Sequence, residues 1–169
     1  MPRLTCLILV VLAGCAKQQP AADATHELIV RGGTILDGSG SEGYVGDVVV
    51  DGDRIVYVGK SRGDTAKTVI DATGKAVAPG FINMLSWAVA SLLVDGRSQS
   101  DLRQGVTLEV FGEGDSWGPL SPEMKKRAKE RQTDIQYDIA WTSLGEYLEH
   151  LQSRGITPNV ASYIGAATT

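Results

Sequence analysis

The sequence predicts an α/β protein: an all-β segment followed by parallel strand–helix–strand units, and two observations carry this. Between Glu27 and Ala78 short β-branched runs are punctuated by glycine and Asp-Gly turns, with no helical period of useful length. After Ala76 apolar strands alternate with capped amphipathic helices, a pattern that folds into βαβ units.

The first segment is read over residues 27–75. Leu28-Ile29-Val30 and Thr34-Ile35-Leu36 are strands separated by Gly32-Gly33, and Asp37-Gly38-Ser39-Gly40 is a loop. Val48-Val49-Val50, Asp51-Gly52 and Arg54–Val58 form a hairpin, because Asp-Gly tolerates the positive φ that tight hairpin turns require. Thr68-Val69-Ile70 is a further strand. The second segment is read over 76–169. Ala76–Met84 is expected to be a buried strand, Ser100–Gln104 a short helix closed by Gly105, and Val106–Phe111 a second strand. Ser121-Pro122-Glu123 starts a helix with a capping hydroxyl, proline at the first position and an acid in the first turn. Ser143-Leu144-Gly145-Glu146 is a capping box, after which Leu144, Tyr147, Leu148 and Leu151 mark one helical face and Gly155 stops the helix. Val160–Ile164 is the third strand.

Residues 1–14 read as an export leader. Arg3 supplies a positive charge, and Leu4–Leu12 is an apolar run too short for about 30 Å of hydrocarbon. Leu12-Ala13-Gly14-Cys15 resembles a bacterial lipobox, which would place a lipid on Cys15; the plainer alternative is an ordinary signal with an incidental cysteine. Cleavage before Cys15 would move the net charge from −4 to −5 and remove Cys6, leaving one thiol and no intramolecular disulfide. Residues 15–26, including the polar Lys17–Thr25, are read as a tether. Ala16 after the cysteine favours the outer membrane, facing the periplasm, with the chain joined to the membrane through its lipid. Mild acidity argues against nucleic acid as a partner.

Three stretches, Arg31–Gly40, Gly46–Gly59 and Val69–Asn83, resemble the opening of an amidohydrolase of the N-acyl-D-amino-acid deacylase (D-aminoacylase) group. The resemblance extends through Pro79-Gly80-Phe81-Ile82 and Gly105-Val106-Thr107 to about Gly165. It implies a small β-sandwich leading into a metal-dependent (β/α)₈ barrel, of which residues 76–169 would supply the first three strands. It also implies hydrolysis of a C–N amide bond in an N-acylated D-amino acid or related cell-wall fragment, with zinc as the expected metal. The chain is therefore expected to be the N-terminal part of a longer protein, inert and marginally stable by itself. The proton-moving carboxylate and the remaining ligands would lie on later strands, so no catalytic residue is assigned here and no cofactor-binding residue other than metal ligands is expected.

Departures from the family pattern concern the metal. In the family Pro-Gly-Phe-Ile-Asp is followed by His-x-His, two imidazoles that face one way because strand side chains alternate. Here those positions fall on Leu85 and Trp87, neither of which offers a lone pair. The family's metal-binding cysteine aligns with Gly114, flanked by Glu113 and Asp115; these could supply oxygen ligands, the plainer reading being a solvated acidic loop. A further family histidine falls on Ala166. The chain's two histidines, His26 in the tether and His150 on the polar face of the last helix, read as surface residues.

The basic run Lys125–Arg131 could touch anionic lipid, but a solvated helix surface is the plainer reading. Trp87, Trp117 and Trp141 are expected to pack in the core in preference to lining a pocket. Three readings remain open: an amidohydrolase with a rearranged metal site, an envelope-anchored binding lipoprotein that keeps the fold without the metal, and an interaction lipoprotein in which the fold is inherited and unused.

Overall fold

The computed structural model describes residues 25–168. The leader, Cys15 and most of the tether lie outside the described residues. The chain divides into two compact units between Ala78 and Pro79.

The first unit is one mixed sheet of five strands: β1 (Thr25–Ile35), β2 (Tyr44–Asp51), β3 (Arg54–Gly59), β4 (Thr65–Asp71) and β5 (Ala76–Val77). Their order is β3-β2-β1-β4, with β5 pairing the end of β1. The two runs read as separate strands are one. β1 continues through the glycine pair as a bulge between Val30 and Gly33, because Gly32 adopts φ +72° and Asp47 Oδ1 accepts its N–H at 2.9 Å. The expected hairpin forms with Asp51 opposite Arg54, so the turn residues are Gly52 and Asp53. β4 pairs parallel with the first half of β1. Among the described residues this unit is a single sheet, and apolar side chains such as Ile55, Val69 and Ile70 stand exposed on it.

His26 is not a tether residue. β1 begins at Thr25, and His26 pairs with Ala66 and is 7% exposed. Its Nδ1 lies 2.7 Å from Asp51 Oδ2, while Asp51 Oδ1 accepts the Glu27 N–H at 3.0 Å. These bonds, His26 first, hold the Asp51 carboxyl below its usual value of 3.8. A group with a depressed folded pKa contributes stability that is complete above its unfolded value and fades as pH falls through the folded one. Acid unfolding of the first unit is therefore expected to begin below about pH 4, and Asp51→Asn should flatten that limb in a urea-midpoint series from pH 6 to 2.5. An unchanged limb would show that the pair does not couple to folding.

The second unit holds β6 (Phe81–Asn83), β7 (Val106–Phe111) and β8 (Asn159–Ser162), parallel in the order β6-β7-β8. Four helices accompany them: α1 (Ser91–Val94), α2 (Gln99–Leu102), α3 (Pro122–Glu130) and α4 (Leu144–Arg154). The single buried strand expected over Ala76–Met84 is instead β5 and β6, one in each unit. The apolar run is continuous, but Pro79 carries no N–H for a ladder and marks the break. Phe81 and Ile82 are more than half exposed. α1 had no sequence signal, being one turn long.

Capping follows the sequence closely. Ser121 Oγ accepts the Met124 N–H, and Ser143 and Glu146 make both halves of the capping box, with Gly155 left-handed at the end of α4. Ser143→Ala is expected to cost about 1 kcal/mol, read as a shift in urea midpoint; no shift would mean that packing alone fixes the start of α4. The core is built where α4 crosses the sheet: Tyr147 and Leu151 pack with Val89, Leu92, Phe111 and Trp141. Among the described residues no helix is long and apolar enough to cross a membrane.

Candidate functional site

Parallel strands present their C-terminal ends at one edge of the sheet, and the loops leaving that edge are where chemistry is placed in folds of this kind. Three such loops are present: residues 84–90 after β6, 112–121 after β7 and 163–168 after β8.

The first loop is held by its middle residue. Ser86 is buried; its N–H reaches the Val110 carbonyl at 3.0 Å and its hydroxyl donates to Glu109 Oε2 at 2.7 Å. The Ser86 oxygen also accepts the Ala88 N–H at 3.2 Å. With Ser86 turned inward, its neighbours turn out: Leu85 is 49% and Trp87 82% exposed. Trp87 thus does not pack in the core as expected. Trp141 is buried, and Trp117 packs against the core.

Glu109 was missed at the sequence level. It is fully buried in the central strand and takes one hydroxyl on each oxygen, Ser86 at 2.7 Å and Ser98 at 2.7 Å. Ser98 adopts φ +41°, a left-handed conformation uncommon outside glycine, as it offers that hydroxyl. The available signal was an acid inside the apolar run Val106–Phe111, which buries on both faces.

The second and third loops meet backbone to backbone. Gly112 has φ +83°, and a Cβ there would collide with the Tyr163 carbonyl oxygen. The Ala167 N–H donates to the Gly114 carbonyl at 3.1 Å, and the Ser116 N–H to Thr168 Oγ1 at 2.8 Å. Glu113 and Asp115 are both exposed on this loop, and Ala166 is exposed on the next. His150 is half-buried, with its ring 5.3 Å from that of Trp141, and so is not a free surface histidine.

These positions do not make a metal site. Leu85 and Trp87 carry no donor, and among the described residues no three His, Cys, Asp or Glu side chains come together. The basic helix is likewise occupied on its surface: Lys126 faces Glu130, Arg127 faces Glu123, Lys129 faces Asp138 at 2.7 Å and Lys125 reaches the Thr142 hydroxyl.

Comparison with known proteins finds similarity to the amidohydrolases. No family model matches the chain. D-aminoacylase of Alcaligenes xylosoxydans xylosoxydans is 32% identical over 143 residues, covering 84% of this chain and 29% of that enzyme. N-acyl-D-aspartate deacylase of the same organism is 39% identical over 101 residues, 59% of this chain and 20% of the enzyme. A crystal structure of D-aminoacylase, described as defining a novel subset of amidohydrolases, superposes with a TM-score of 0.71 at 30% identity, over 85% of this chain and 30% of that one. N-acyl-D-glutamate deacylase from Bordetella bronchiseptica, complexed with zinc and a phosphonate inhibitor, gives 0.71 at 26% identity over 86% of this chain and 30% of that one.

The relatives and structural neighbours of this chain thus include D-aminoacylases and N-acyl-D-amino-acid deacylases of the amidohydrolase family, hydrolases of amide C–N bonds. The chain spans about 30% of their length. A metal centre described as binuclear in D-aminoacylase and zinc in the glutamate deacylase make these neighbours metal-dependent.

Proposed function

We propose that the whole protein is an amidohydrolase that cleaves the amide C–N bond of N-acyl-D-amino acids or related acylated cell-wall fragments. The observation that carries this is agreement of sequence and fold over 85% of the chain with D-aminoacylase at 30% identity. On this reading β6, β7 and β8 are the opening strands of a (β/α)₈ barrel, and the first unit is part of a small β-sandwich. Since the residues present do not fit a metal, no step of hydrolysis is assigned to them. The metal and the carboxylate that moves the proton would be held by later strands. The second reading, an envelope binding protein without turnover, draws on the loss of donors at Leu85 and Trp87.

Release of free amino acid from N-acetyl-D- and N-acetyl-L-amino acids by the full-length protein separates the two. Turnover confined to the D series supports the hydrolase. Binding of the D series without turnover supports the second reading.

We also infer that Cys15 carries lipid and anchors the protein in the outer membrane facing the periplasm, as the Leu12–Cys15 motif suggests. Labelled palmitate fed to expressing cells should enter the native chain and not Cys15→Ser; equal labelling of both would refute the assignment.

A further inference from the structure

Asp-Gly occurs three times in the chain, at residues 37–38, 51–52 and 95–96. At such a pair the backbone can rearrange without an enzyme. The glycine nitrogen attacks the Asp Cγ, that carboxyl leaves its hydroxyl as water, and a five-membered succinimide closes. Water then opens the ring at either carbonyl. Opening at the main-chain carbonyl leaves isoaspartate, with the chain running through the former side chain. Glycine permits this because no Cβ shields its nitrogen. Closure also requires the carboxyl and the glycine N–H to turn toward each other, and in this respect the three pairs differ.

Two of the pairs are held from both sides. Asp51 is bound through both oxygens, by His26 and by the Glu27 N–H, while the Gly52 N–H donates to Glu27 Oε2 at 2.8 Å. Asp95 takes the Arg97 guanidinium at 2.8 Å on each oxygen and the Arg97 N–H at 3.0 Å. These bonds, the Arg97 side chain first, draw its carboxyl down to about 2. The Gly96 carbonyl accepts the Thr157 N–H at 2.8 Å, and a Cβ on Gly96 would meet Ile156 at 3.2 Å. Asp37-Gly38 is held far less. It lies in the exposed loop 36–43, where the Asp37 carboxyl is engaged from Ser39 alone, whose N–H reaches Oδ1 at 2.9 Å. The Gly38 N–H has no partner among the described residues. Gly38 and Gly40 both adopt φ +83°, and a Cβ on either would meet nothing within 4 Å.

We propose that Asp37 is a site of spontaneous isomerisation in the folded protein, giving an aged form with isoaspartate in the β1–β2 loop while Asp51 and Asp95 stay intact. The last residues paired before the loop are Ile35 and Tyr44, so the added backbone methylene falls outside the ladder and the sheet persists. Acid quickens the reaction. Ser39, its hydroxyl first and its N–H second, holds the Asp37 carboxyl below its usual value of 3.8. Only the protonated acid loses water readily, so its share, and the rate, rise as pH falls toward that value.

Long incubation of the full-length protein in heavy-oxygen water tests it, followed by digestion in ordinary water and electron-transfer fragmentation of the peptides. Each ring opening leaves one heavy oxygen, and the fragments separate isoaspartate from aspartate at each position. In the folded protein, label and isoaspartate are expected at residue 37, with little at 51 and 95, and more at pH 5 than at pH 8. In guanidinium chloride all three pairs should convert. Asp37→Glu, whose longer side chain would have to close a six-membered ring, should lose the signal at residue 37 and keep the native urea midpoint. The converted protein should keep its native circular dichroism. The same spread over the three pairs in folded and unfolded protein would overturn the proposal. So would absence of conversion at residue 37 in the folded protein, or conversion accompanied by loss of the native spectrum.

Discussion

Tyr147→Ala is expected to lower the stability of the second unit by about 4 kcal/mol, the largest effect of any single truncation considered. The ring is fully buried where α4 crosses the sheet. It packs 5.0 Å from the Trp141 ring and 6.4 Å from that of Trp117. Its hydroxyl donates to the Val89 carbonyl at 3.0 Å, and burial above all keeps the phenol protonated well beyond its usual range. Removing the ring opens a cavity among residues that cannot collapse, because α4 is pinned by its capping box. Tyr147→Phe keeps the ring and leaves one carbonyl unpaired, so about 1 kcal/mol is expected. All three tryptophans of the chain lie in this unit, and urea unfolding followed by their fluorescence reads it directly. Equal losses in the two variants would show that the hydrogen bond, and not the packing, dominates.

Glu109→Ala is expected to cost about 3 kcal/mol. The carboxylate is the acceptor for two hydroxyls, from Ser86 and Ser98. Alanine leaves both unmet and a void in the central strand. Glu109→Gln should cost about 1 kcal/mol, since a hydroxyl can rotate to accept from the amide while the other still donates to its oxygen. The two variants should also differ in local order. Amide exchange at Ser86 and Ala88, whose N–H groups are hydrogen-bonded, is expected to quicken in Glu109→Ala and change little in Glu109→Gln. Equal loss in both variants would mean that the negative charge itself, and not its hydrogen-bonding shape, is what the fold requires.

Local signals were legible in the sequence wherever one residue type answers one backbone demand. The caps at Ser121 and Ser143, the stop at Gly155, the hairpin near Asp51-Gly52 and the strand Val106–Phe111 all stand as expected. Nonlocal pairing was not legible. The strand through Gly32 is continuous because Asp47, fifteen residues away, satisfies the bulge, and nothing in the local composition says so. His26 looked like linker because its neighbours are small and polar; its burial comes from β4 and Asp51. The apolar run from Ala76 reads as one strand because hydrophobicity cannot show that its two halves join different sheets. At the site, residue chemistry alone shows that Leu85 and Trp87 offer no metal donor. The inward turn of Ser86 between them, and the buried carboxylate that holds it, depend on a partner strand more than twenty residues later.

We propose that the two outward residues after β6, Leu85 and Trp87, stand where a metal-binding relative would carry ligands, and the functional reading turns on this. Ser86 anchors the loop from within, and the residues on either side reach outward with an aliphatic chain and an indole. Zinc content of the purified full-length protein, native against Leu85→His/Trp87→His, tests this most directly. The expected result is that the double variant gains up to one equivalent per chain over the native protein, because two imidazoles then face the same side of the loop. Equal zinc in the two proteins, with the double variant folded, would contradict it.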